Sequence, residues 1–148
     1  MRIKSFLILL LSLLIIGCCG QSMTIKDSSI TIDEANCWLN LMPGGNPSFH
    51  YSGTFSINKN LADDYKLKQL YVFYKDNLIH SSQPLLQFYN EIVTDSSSLI
   101  RFNFYSEQGI KVTETMMQAE NLDLLLVFEI QGKTIEKAVK EIPLTRAY

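Results

Sequence analysis

From Leu122 to Ile130 every second residue is apolar (Leu122, Leu124, Leu126, Phe128, Ile130), and that spacing restricts the backbone more than anything else in the chain. Alternation places the five side chains on one face of an extended strand, whereas a helix turning about 100° per residue scatters them around its circumference. Gln131-Gly132 follows at once and can supply a two-residue hairpin turn, though less favourably than Asn-Gly. A strand returning through that turn sets Phe128 opposite Ile135 and Leu124 opposite Val139. Ile135, Ala138, Val139 and Ile142 also fit one face of a helix, so 135–142 reads as strand or helix. Pro143 is expected to stop either element.

The same period recurs upstream. Ile30 and Ile32 share a face, but the next apolar set is Cys37, Leu39 and Leu41, so the phase slips across Asp33–Asn36. A bulge or kink is the simplest cause. Met42–Pro47 is dense in turn residues and reads as a loop. Phe49, Tyr51, Gly53, Phe55 and Ile57 then face inward while His50, Ser52, Thr54 and Ser56 face outward. Leu67–Tyr74 is apolar on both faces at its centre, as in a strand covered on both sides. Asp63-Asp64 and Lys66-Lys68 read as a solvated loop before it. Lys75-Asp76-Asn77 turns the chain. Pro84–Ile92 is ambiguous, because Leu85, Phe88, Tyr89 and Ile92 fall at helical spacing yet also suit an edge strand. Ile100, Phe102 and Phe104 resume the alternation, and Ser106–Gly109 turns into Ile110–Met116.

Seven to nine strands on short turns, with one short helix allowed, predict an all-β chain. The architecture resembles an immunoglobulin-like or fibronectin-III-like antiparallel sandwich, and the break in the first strand resembles the split first strand of such folds. The Cys–Trp–Cys core signature is absent: Cys37 and Trp38 are adjacent and no later cysteine follows. Sandwiches carry many functions, so this likeness names none.

The N-terminus supplies an address. Arg2 and Lys4 precede an apolar run, Phe6–Ile16, broken only by Ser12. Eleven residues make about 16 Å of helix, half a bilayer's hydrocarbon core, so an export leader fits better than a membrane span. Ile15-Ile16-Gly17-Cys18 resembles the lipobox of bacterial lipoproteins. That resemblance implies removal of 1–17 and attachment of diacylglycerol to the Cys18 thiol, followed by acylation of the new amino group. It also implies a lipid anchor at the cell envelope, on the outer membrane of a two-membrane cell because Cys19 is not Asp, and otherwise on the outer face of the cell membrane. An ordinary signal peptide cut near Gly20 is the alternative. The expected organisation is a leader at 1–17, a polar tether at 18–29 and one sandwich domain at 30–148.

Removal of 1–17 leaves 131 of the 148 residues, enough for one domain. Arg2 and Lys4 leave with the leader, so 11 basic residues face 15 acidic ones, a net charge of −4. Such a balance argues against a nucleic-acid partner, which needs cations for phosphate. The expected partners are the membrane, through the lipid, and another envelope protein.

No recurring catalytic or cofactor motif is present: no H-E-x-x-H, G-x-S-x-G, phosphate-binding glycine loop or calcium loop. No cofactor is expected, and the chain reads as a non-catalytic binding or assembly module. Cys37 shares a face with Leu39 and Leu41 and reads as a buried thiol. A disulfide with Cys19 is the second reading, closing a loop of fewer than twenty residues worth about 3 kcal/mol; a nucleophile is the third. Trp38 alternates with Asn36 and Asn40, so it sits on a polar face, where a tryptophan can anchor a partner or a sugar ring unless a neighbouring loop covers it. His50 lies on the Ser/Thr face, and with Met42, Met116, Met117 or Cys37 it could make a soft copper site, the alternative function. His80, between Ile79 and Ser81, reads as a surface residue.

Overall fold

Leu122, Leu124, Leu126, Phe128 and Ile130 are each no more than 1% exposed, so the alternation does define one buried face. The computed structural model describes residues 29–93, 97–107 and 109–148. The leader 1–17, Cys18 and Cys19 lie outside the described residues. In chain order come β1 (Ile30–Asn40), β2 (Ser48–Asn58), β3 (Tyr65–Tyr74), β4 (Asn77–Ser82), β5 (Leu85–Val93), β6 (Ser98–Tyr105) and β7 (Ile110–Lys111). A short helix, α1 (Glu114–Gln118), and two strands, β8 (Asn121–Ile130) and β9 (Lys133–Ala147), complete the order.

Hydrogen-bonded neighbours run β4-β3-β8-β9-β1-β2-β6-β5, with β7 added to the start of β2. The strand β9 is the joint. Up to Pro143 it lies antiparallel to β8, and from Leu144 to Ala147 it lies parallel to β1. The path folds there into two layers that face each other. Phe55 of β2 meets Phe128 of β8 edge-on at 5.0 Å between ring centroids. The Tyr51 hydroxyl of β2 lies 2.8 Å from the Ser82 hydroxyl of β4. With β1-β2-β6-β5 in one layer and β4-β3-β8-β9 in the other, the order is that of an immunoglobulin-like sandwich. The parallel β1–β9 rungs depart from the purely antiparallel arrangement expected.

Several sequence readings now take definite form. The phase slip in β1 is a bulge between Ile32 and Glu34. Its extra residue, Asp33, accepts hydrogen bonds from the Ser56 hydroxyl of β2 and the Arg101 guanidinium of β6, tying three strands together. The β8–β9 hairpin has the predicted register, Phe128 opposite Ile135 and Leu124 opposite Val139. Gln131 and Gly132 both have positive φ (49° and 74°), the primed turn that matches strand twist. Residues 85–93 and 135–142 are strands.

Other readings are corrected. Pro143 does not end β9. It sits where the strand changes partners, opposite Asn121, and beside it the Leu144 N–H reaches the Glu120 carbonyl at 2.8 Å. The missing proline N–H therefore falls at a switch point. β3 is buried on one face only: a bulge at Lys68 turns both Leu67 and Leu70 inward, while Tyr71 and Phe73 are half-exposed outside. Lys66 and Lys68 belong to this strand, and only Asp63-Asp64 stays in the turn. Ile110–Met116 is not one strand but the short β7 followed by α1, capped by the Thr113 side chain, which accepts from the Met116 N–H.

Candidate functional site

The outward face of β1, β2, β6 and β5 is built from the polar half of each alternating strand. The β1–β2 register sets Trp38 opposite His50. Their rings stack at 5.3 Å between centroids and 13° between planes. The Ser48 hydroxyl, two residues earlier on β2, lies 2.8 Å from His50 Nε2 and holds the imidazole in place. Trp38 and His50 are both half-buried, so the tryptophan stands on a polar face with one neighbour ring against it. The two residues singled out separately in the sequence thus form one unit.

An open cleft of about 950 Å³ surrounds that pair, walled on the other side by Leu85, Tyr105, Ser106 and Glu107. Beyond Tyr105 a second depression of about 330 Å³ continues over Asn36, Thr54, Gln87 and Asn103. The contributions of β6 and β5 were not singled out in the sequence, although the alternation of Ile100, Phe102 and Phe104 already sets Arg101, Asn103 and Tyr105 outward. The Met42–Pro47 loop joins β1 to β2 at the end of the cleft; it is exposed throughout, with Met42 at 57%.

The remaining candidates go elsewhere. Cys37 points into the core, on the face opposite Trp38; its thiol is free and 2% exposed. Burial pushes that thiol up to about 12, so it stays protonated and is a poor nucleophile or ligand. Met116 is in the core and Met117 is on the surface. Among the described residues no three His, Cys, Asp or Glu side chains gather closely enough to hold a metal ion. His80 is not a free surface residue. It is half-buried in β4, edge-on to Phe49 with centroids 6.3 Å apart, and 3.1 Å from the Ser82 hydroxyl. Burial lowers its pKa below 6.5.

A second feature adjoins the cleft. β5 ends the order on one side, so one of its edges carries unpaired backbone groups. Leu85, Leu86, Phe88, Tyr89 and Val93 are between 38% and 75% exposed. Phe88 touches only the rim of the core, edge-on to Phe102 at 6.1 Å. The strand holds no lysine and no proline, and its one charge, Glu91, is paired with Lys59 at 2.8 Å. Among the devices that blunt an edge strand, β5 has a bulge at Tyr89.

Among the described residues no helix is long and apolar enough to cross a membrane. Comparison with protein-family models, with curated proteins and with solved structures finds no match.

Proposed function

We propose that this chain is a bacterial lipoprotein, acylated on Cys18, whose sandwich is a non-catalytic binding module that pairs its β5 edge with a strand of another envelope protein. The observation that carries the reading is β5 itself: a nine-residue strand at the end of a sheet that exposes Leu85, Leu86, Phe88, Tyr89 and Val93. Free strand edges recruit extended segments through main-chain hydrogen bonds, and adjacent side chains select among them. The bulge at Tyr89 divides the edge into two short runs, which suits reversible pairing better than a permanent interface. The lipid supports the same reading. Two or three acyl chains, at roughly 0.8 kcal/mol per buried methylene, hold the module at the surface where such partners reside. An outer-membrane position in a two-membrane cell follows from the residue after Cys18, and a position on the outer face of the cell membrane follows otherwise.

The test is a cross-linking pull-down from membranes with three tagged forms: unaltered, Cys18→Ala, and Phe88→Lys with Val93→Lys. The two lysines fall on exposed side chains and leave the core intact. A discrete set of envelope proteins is expected with the first form and lost from both others. A partner set unchanged by the lysines removes β5 from the reading, and one unchanged by Cys18→Ala removes the anchor.

A further inference from the structure

We propose that the cleft around Trp38 and His50 binds a neutral oligosaccharide laid across the strands, a site separate from the β5 edge. The backbone of this face is already paired within the sheet, so a ligand lying on it meets side chains alone. Those side chains are of two kinds. Trp38, His50 and Tyr105 offer flat π surfaces, which pack against the C–H faces of pyranose rings. Asn36, Gln87 and Asn103 offer paired donors and acceptors, the groups that read hydroxyls and acetamides. Among the described residues nothing engages the amides of Gln87 and Asn103 or the indole N–H of Trp38, so these groups are free to bind.

Charge narrows the class. No lysine or arginine lines either depression, and carboxylates stand at the two ends, Glu107 at one and Glu34 at the other. Anionic sugars and phosphates would find no counter-charge there. Shape narrows it further. The binding groups occupy three successive cross-strand rows: Trp38 with His50, then Asn36, Ser52 and Tyr105, then Thr54, Asn103 and Gln87. Rows two residues apart on a strand are separated by about 7 Å, so the three span about 14 Å, a length for a chain of sugars rather than a single ring. Leu85 is the lone aliphatic side chain in the larger depression, which gives little to a purely apolar ligand.

Trp38 is the single tryptophan of the chain, so its emission reports on the site directly. The experiment titrates the full-length protein, held in an amine-oxide detergent without sugar, with cellohexaose, N-acetylchitohexaose and maltohexaose. Hexagalacturonate serves as the anionic comparison. A saturable emission shift is expected from at least one neutral hexamer, with its dimer at least tenfold weaker and no response to hexagalacturonate. Gln87→Ala with Asn103→Ala should weaken the binding at least tenfold while leaving the circular dichroism of the sheet unchanged. Trp38→Ala, followed by calorimetry, should do the same. Phe88→Lys with Val93→Lys should leave the titration unaltered, which separates this site from the protein-binding edge. The proposal is overturned by no response to any neutral hexamer, by an equal response to hexagalacturonate, or by affinity indifferent to the alanine changes.

Discussion

At Gly53 a methyl group has nowhere to go. A Cβ built there would lie 2.2 Å from the Glu34 carbonyl oxygen and 2.4 Å from the Phe104 ring. The first contact is with backbone, the carbonyl of the residue that follows the bulge at Asp33. Glycine at 53 is therefore required by what faces it, not by its own torsion angles. Gly53→Ala should cost about 1–3 kcal/mol, the usual range for overpacking, and appear as a lower urea midpoint with unchanged slope. Shortening Phe104 alongside it should not restore the loss, because the carbonyl remains. Cys37 shows a different kind of dependence on position. One step along the same strand separates the buried thiol from the half-buried indole, so the side chain most reactive by type is the one the fold keeps inert.

Bulges explain most of what was and was not legible among the elements. β8 and β9 were readable together because one clean alternation met a two-residue turn, and those two facts fix a register. β5 was not, and the cause is visible at Tyr89. The extra residue shifts the phase by one, so apolar positions at 85, 88, 89 and 92 mimic a helical face. The same happens in β9, where a bulge between Val139 and Ile142 turns a step of two into three. The candidate site was half legible. Trp38 and His50 stand out individually, but their stacking depends on a hairpin whose seven-residue loop carries no code for register. The partnership of Tyr105 and Asn103 with β2 joins residues about fifty positions apart, beyond any local pattern. α1 was missed for its brevity. It persists because Arg146 of β9 donates from Nη2 to the carbonyls of Met117 at 3.0 Å and Ala119 at 2.8 Å, satisfying the end of the helix. Arg146→Met keeps the stem and removes those donors. It should cost about 1–2 kcal/mol by thermal unfolding, with lysine at this position recovering only part, since a single ammonium lacks the planar fork.

For the molecule as a whole, one polar chain crosses between the two layers: His80 to Ser82 to the buried Tyr51 hydroxyl. Burial lowers the His80 pKa below 6.5, so the unfolded chain takes up a proton there more readily than the folded one. This contribution to stability is complete above about pH 6.5 and declines as pH falls through that value toward the lower, folded one. Denaturation midpoints should drop across that window, and His80→Gln, which keeps a hydrogen-bonding group beside Ser82, should flatten the slope. Glu91, held below its usual 4.5 mainly by its hydrogen bond from Lys59, acts in a separate and more acidic window. The joint made by β9 has a further consequence, in time instead of space. The Thr145 hydroxyl reaches the Cys37 carbonyl 108 residues back, and the Leu41 N–H reaches the Ala147 carbonyl. The rungs between β1 and β9 thus wait for Leu144–Ala147, more than a hundred residues further along the chain, and closing a loop of that length is slow. A nascent chain that lacks those residues has its two layers unjoined along the β1–β9 seam.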